Sequence, residues 1–274
     1  SSNESNDYKR NFIRNKISPL LKEINNNYSQ EIYDFTQRIQ ESIIIYDAQI
    51  DKIRKKVLVP WKEGQQLYFT YLLHHPACDT LFYELLSPFN LNKEQVKEVV
   101  ITAKGLKRKN ASGQNFYSKS HRLVMDKKSI FILPLDTPLT SIVAYDKWPN
   151  KIIFNEYKID IDIKPIRKAH INKSNRYAFI DADKVEFPIL IRYPEVGDYF
   201  YPYGMGKQQN PDKVGKKKLS KYFKDEKISL AERERTPILF SNQRAVWLVH
   251  HRIDDRFKVT EDTKNVVQLS IQQS

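Results

Sequence analysis

Apolar residues between Ser29 and Lys56 fall at three- and four-residue steps: Ile32, Phe35, Ile39, Ile43, Tyr46, Ile50 and Ile53, with Val57 just beyond. That spacing keeps one helical face apolar, and no Gly or Pro interrupts it. It predicts a helix of about 28 residues, roughly 42 Å long. A shorter helix is expected before it, carrying Phe12, Ile13, Ile17, Leu20, Leu21 and Ile24, with Pro19 starting or kinking a turn and Asn25-Asn26-Asn27 as the break. Val59-Pro60-Trp61 ends the long helix, and shorter helices are expected over about 65–73, 77–86 and 92–103. The last has a capping signature, with Asn92 as N-cap, Gln95 three residues on and Gly105 past the end.

After Gly105 the period changes to two. Short strands are expected at 116–117, 121–125 and 129–133, with Asp126-Lys127-Lys128 as a turn. Residues 152–163 read as a hairpin, with Ile159, Ile161 and Ile163 on one face and Asp160 and Asp162 on the other; another strand lies within 175–184. Further on come a strand at 187–192, helices at 217–225 and 231–235, strands at 236–240 and 245–250 about Ser241-Asn242-Gln243, and a final strand at 266–271. The pattern describes an α+β chain. An N-terminal helical domain spans 7–135, a strand-rich connecting region 136–186, and a compact C-terminal α/β domain 187–274, expected to be stable alone. Boundaries near 135–145 and 184–187 both fit.

Composition narrows the chemistry. The 274 residues hold 46 Lys plus Arg against 33 Asp plus Glu, a formal charge of +13, and 12% are aromatic, which argues against general disorder. One cysteine, Cys78, excludes an internal disulfide and a thiolate-built zinc site. No apolar run is long enough for a membrane span, and the polar Ser1–Asn6 start lacks the apolar core of a signal peptide, so a cytoplasmic home is expected. The seven glycines are never adjacent. No Walker A spacing exists, and Gly204-Met205-Gly206 lacks the third glycine of a dinucleotide loop. No cofactor is therefore expected in this chain.

Two basic runs remain. From Lys104 to Lys128 there are eight Lys or Arg, including Lys107, Arg108 and Lys109, and one acid, Asp126. From Lys213 to Lys221 there are five Lys and no acid, followed by Tyr222 and Phe223. Cations displace counterions from phosphates, and aromatic rings stack on unpaired bases. Within the first run, Lys104–Lys109 reads foremost as a solvated loop. The second reads foremost as a nucleic-acid contact, because a helix starting there would also aim backbone N–H groups at phosphate. The pairs His74-His75 and His250-His251 have no metal-ligand spacing, so no metal is expected. Asp254-Asp255, flanked by Arg252 and Arg256, reads as ion pairing at a turn, Cys78 as a buried small residue, and the Tyr193–Tyr203 stretch foremost as packing.

Arg192-Tyr-Pro-Glu-Val-Gly197-Asp198-Tyr-Phe-Tyr-Pro202-Tyr-Gly204, Lys217-Lys218-Leu219-Ser220-Lys-Tyr-Phe223-Lys-Asp225, Arg233-Glu-Arg-Thr-Pro237 and Arg252-Ile-Asp-Asp-Arg-Phe-Lys-Val-Thr260 follow one another in a specific order. Together they closely resemble the C-terminal domain of the bacterial tRNA(Ile)-lysidine synthetases over roughly 187–265. Arg10-Asn11-Phe-Ile13-Arg14 resembles the stretch where that family's catalytic domain hands over to its helical tRNA-binding domain. The family's catalytic domain carries a Ser-Gly-Gly-x-Asp-Ser loop, and this chain has no Gly-Gly. The resemblance therefore implies a piece that follows that domain and is inactive alone. It implies that the parent enzyme ligates lysine to the anticodon wobble cytidine of tRNA(Ile), with ATP and magnesium held by the absent domain.

Carried over from the matched motifs, Lys216, Lys217, Lys218 and Lys221 would meet tRNA phosphate, with Arg192 and Arg233 as anchors and Arg10 and Arg14 as linker contacts. Gly197 and Gly204 would serve tight turns, and Asp198 would cap a turn or orient Arg192. No membrane partner is implied, and homo-oligomerisation stays open. The rival readings are a basic module binding an acidic protein or another RNA, and an enzyme using Asp254, Asp255 and a histidine.

Overall fold

Lys9 to Val57 is helical apart from one break, in a computed structural model that describes residues 9–105, 112–135, 141–169, 174–207 and 210–272. The chain divides after Val57 into two compact units. In the first, α1 (Lys9–Phe12), a π-helical turn (Ile13–Ile17) and α2 (Ser18–Ile24) follow one another, with Pro19 in the first turn of α2, where its missing N–H is tolerated. Asn25 is extended and its side chain accepts the Asn27 N–H at 2.9 Å, which makes the break. The 30-residue α3 (Tyr28–Val57) follows, close to the predicted span. Only Ile50, Ile53 and Val57 of its apolar face are buried.

The second unit opens with β1 (Leu58–Trp61) and β2 (Gly64–Tyr68), where the apolar spacing predicts the end of one helix and the start of another. This corrects that expectation. Lys62 takes a left-handed conformation (φ 49°) in a tight turn, and β2 then lies so close to the next strand that a Cβ on Gly64 would sit 2.1 Å from the Ile132 carbonyl oxygen. Next come α4 (Cys78–Leu86), burying Cys78, and α5 (Lys93–Gly105). The capping box at α5 is as expected: Gln95 N–H donates to Asn92 Oδ1 and Asn92 N–H to Gln95 Oε1, both at 2.9 Å. Then β3 (Asn115–Tyr117), β4 (His121–Met125) and β5 (Ser129–Pro134) complete an antiparallel sheet in the order β1-β2-β5-β4-β3. The span 7–135 thus holds a five-stranded sheet as well as helices.

Further along are β6 (Ile142–Tyr145), β7 (Lys151–Phe154), β8 (Tyr157–Pro165), β9 (Tyr177–Asp181), β10 (Ile189–Arg192), β11 (Tyr199–Phe200), β12 (Gly206–Lys207), β13 (Asn210–Val214) and β14 (Lys217–Lys218). After them come α6 (Leu219–Asp225), α7 (Leu230–Glu234), β15 (Ile238–Ser241), β16 (Arg244–Leu248) and β17 (Asn265–Ile271). Two four-stranded antiparallel sheets form, β16-β15-β10-β6 and β7-β8-β17-β9. Ile152, Ile159, Ile180, Ile191, Trp247, Val267 and Leu269 share one core. A second core gathers Phe200, Leu219, Tyr222, Phe223, Ile238, Phe240 and Leu248.

This topology moves the expected boundary. Residues 136–186 are not a connector, because β6 pairs with β10 and both β8 and β9 pair with β17. A cut at 187 would leave β17 without either neighbour, so the segment 187–274 is not a closed folding unit.

Candidate nucleic-acid interface

The lysine cluster is arranged by one short ladder. Tyr199 pairs with Lys218 and Phe200 with Lys217. Phe200 points into the core while Tyr199 faces outward, as the period of two requires. In α6, Leu219, Tyr222 and Phe223 are buried, which turns Lys221 to solvent. Lys216, Lys218 and Lys221 are exposed, and among the described residues none has a carboxylate within 4.0 Å. Lys216 Nζ sits 3.5 Å from the centroid of the Tyr199 ring. Lys217 differs: its Nζ is 2.8 Å from Asp225 Oδ2 and its side chain is half-buried over Tyr222.

The aromatic edge continues past Tyr199. Its ring meets Tyr201 edge-on at 6.3 Å, and the Arg256 guanidinium lies 4.6 Å from the Tyr201 centroid. Asp254, fully buried, fixes that guanidinium by accepting Nε at 2.9 Å and Nη2 at 2.8 Å, and accepts the Tyr201 N–H at 2.9 Å. Hydrogen bonding to Asp254 pushes the Arg256 pKa up, so the guanidinium stays charged. Lys216, Tyr199, Tyr201 and Arg256 therefore form a ladder of cations and rings. The Tyr193–Tyr203 stretch splits between roles: Tyr193 and Phe200 pack inside, whereas Tyr199 and Tyr203 are exposed.

Several expected roles change. Lys216 to Lys218 precede the helix and do not start it, and the first helical N–H, that of Leu219, donates to the Asp198 carbonyl at 2.9 Å. The first N–H of the seven-residue α6 is thus spent inside the fold. Arg192 is internal to the fold. Its Nη1 and Nη2 donate to the two Asp198 carboxylate oxygens at 2.8 and 2.9 Å, and it stacks 4.2 Å from the Phe240 centroid. Asp198 thus fills both roles expected of it, orienting Arg192 and capping the turn by accepting the Glu195 N–H at 2.7 Å, and Gly197 makes that turn at φ 101°. Arg233 is half-buried and its Nε donates to the Ile228 carbonyl at 2.7 Å; burial lowers its pKa, with Asp126 opposing. Arg10 and Arg14 are exposed in the helical unit. Lys107, Arg108 and Lys109 lie outside the described residues, and Lys104 pairs with Asp79 at 2.9 Å.

Asp254 and Asp255 pair locally, as their flanks suggest, though with Arg256 and Lys258 and not with Arg252. Burial pulls the pKa of His250 and His251 below the ordinary imidazole value. Among the described residues no group of three His, Cys, Asp or Glu could hold a metal ion, and no helix is long and apolar enough to cross a membrane. Sequence reasoning missed Arg256 as a ring partner, because nothing in the sequence distinguishes it from Arg252. It also missed the Arg122–Glu234 pair, two parallel bonds of 2.9 Å joining β4 to α7 across a long sequence separation.

A basic, aromatic-edged sheet domain following a helix-and-sheet domain is the arrangement found. Residues 62–135 match the family model described as TilS substrate binding domain, and residues 189–271 match the one described as TilS substrate C-terminal domain. The chain belongs to the TilS family and carries these two of its domains. It is 34% identical over 273 residues to the tRNA(Ile)-lysidine synthase of Parabacteroides distasonis, covering 97% of this chain and 57% of that protein. It is 29% identical over 267 residues to that of Bacteroides thetaiotaomicron, covering 97% of this chain and 56% of that protein. The chain thus spans a little over half the length of these relatives. A solved structure described as the crystal structure of TILS C-terminal domain aligns at 21% identity with a TM-score of 0.39, covering 48% of this chain and 97% of that one.

Proposed function

We propose that this chain is the tRNA-holding portion of a cytoplasmic tRNA(Ile)-lysidine synthase. In this reading the whole enzyme joins lysine to the wobble cytidine of tRNA(Ile) at the expense of ATP with magnesium. The present residues hold the tRNA and carry out no nucleotide chemistry themselves. The observation that carries the reading is the cluster of Lys216, Lys218 and Lys221, exposed and with no carboxylate within 4.0 Å among the described residues, beside the partly exposed Tyr199 ring. Such a surface suits a polyanion, since each neutralised phosphate releases counterions. The names of the relatives over nearly the whole chain support tRNA as that polyanion.

Fluorescence anisotropy of labelled tRNA across a salt series tests it. Lys218→Ala with Lys221→Ala should weaken binding and flatten the slope of log affinity against log salt by about one to two units. Lys217→Ala should flatten it less, because Asp225 already balances that charge. An unchanged slope in the double variant, with an unaltered melting curve, would show that these lysines are solvated surface charge.

A further inference from the structure

Beside Tyr203 the domain opens a cavity of 460 Å³ that the lysine cluster does not account for. Its walls include Tyr177 and Phe179, alternate residues of β9 whose rings lie within 29° of parallel, and the exposed Tyr203. His251 and Arg252 reach it from the turn after β16, and Glu226 lines it from the end of α6. The size falls in the range of small-ligand sites, roughly 300–1,000 Å³.

The charge state of this lining is specific. Arg252 Nη1 donates to the Tyr203 carbonyl at 3.2 Å, and among the described residues the guanidinium has no carboxylate partner. Arg192, Arg235 and Arg256 are each paired with at least one. His251, its pKa lowered by burial, is neutral at pH 7 and offers one N–H and one lone pair. Planar rings, the Arg252 guanidinium with Lys258 as a second cation against one carboxylate, that of Glu226, and a neutral imidazole together suit a planar, hydrogen-bonding ring that carries an anion. In an RNA that object is an unpaired nucleotide, whose base can leave the stack and lie against aromatic walls. A base held in a duplex cannot enter.

We propose that this cavity receives one unpaired nucleotide of the bound RNA, its base against Tyr203 and Tyr177 and its phosphate on Arg252. The assignment rests on the RNA-binding reading above and adds to it a preference for single strands. The lysines grip phosphates of either form, and the cavity selects the unpaired one.

The test uses the full chain with a short single-stranded RNA and a blunt RNA duplex of equal phosphate number. Tyr203→Ala and Arg252→Gln should each weaken the single strand about tenfold, in line with the loss of one stacked base, and leave the duplex within twofold. In the unsubstituted chain, cytidine 5′-monophosphate should shift the His251 ring-proton resonances, while inorganic phosphate at the same concentration should not. Equal weakening of both RNAs, or no His251 shift with the nucleotide, would overturn the cavity as a nucleotide site while leaving the lysine grip standing. Failure of the unsubstituted chain to bind either RNA would overturn both readings. Should a substitution lower the melting temperature, the His251 resonances of the unsubstituted chain decide.

Discussion

Two regions of this chain carry equally regular apolar patterns and treat them in opposite ways. Along α3, Ile32, Phe35, Ile39 and Ile43 recur at helical spacing, yet they remain 55%, 58%, 44% and 50% exposed. Along β17, Val266, Val267 and Leu269 are fully buried. The periodicity of a segment says which side chains share a face. Whether that face is covered depends on the surfaces available to it. β17 is flanked by two strands and lies on a shared core, so its burial follows from pairing within one domain. Most of the α3 stripe has no such cover among the described residues.

The contrast can be broken by substitution. The largest effect should come from Trp247→Ala in the core that β17 shares, costing about 3–5 kcal/mol through lost burial and a residual cavity. A urea-denaturation midpoint would register it. A smaller effect should come from pH. Burial holds His250 and His251 below their unfolded value near 6.5, so the unfolded chain takes up protons first as the solution acidifies. Stability from these two groups is complete above about pH 6.5 and falls as the pH drops through that value toward the lower folded ones. Midpoints measured between pH 7.5 and 5.5 should decline, and His251→Gln should make the decline shallower. Smallest of all should be Ile39→Ala on α3, within about 0.5 kcal/mol, since an exposed side chain loses little on truncation. A loss of 2 kcal/mol or more there would mean that the stripe is covered in solution.

Legibility in the sequence followed the range of the interactions. The Asn92–Gln95 box, the α3 span and the hairpin about Asn242 and Gln243, both left-handed at φ 43° and 65°, depend on neighbours a few residues away. They were readable. The β1–β2 hairpin was not, because Gly64 is needed for its approach to Ile132, and Leu67 with Tyr71, and Tyr68 with Tyr71 and Leu72, also fit helical spacing. Among the candidate site residues, the exposure of Lys216, Lys218 and Lys221 follows from where α6 begins. The ion pair that occupies Lys217 depends on Asp225, one helix away. Arg192, expected as a phosphate anchor, has its guanidinium taken by Asp198, and the possibility of that pairing is visible in the sequence. What the sequence could not show was which of Arg252 and Arg256 the buried Asp254 takes.

The central position of β17 has a consequence for how this protein is made. A ribosome adds about 5–20 residues per second, and domains fold as units while they emerge. β8 and β9 leave the exit tunnel long before β17 does, and each then presents an unpaired edge where that strand will later insert. Throughout that interval the nascent sheet has a slot open to any extended segment, including one from a neighbouring nascent chain. Completion waits for Asn265–Ile271, so a stop codon placed before Asn265 would leave a translated chain locked at that open stage.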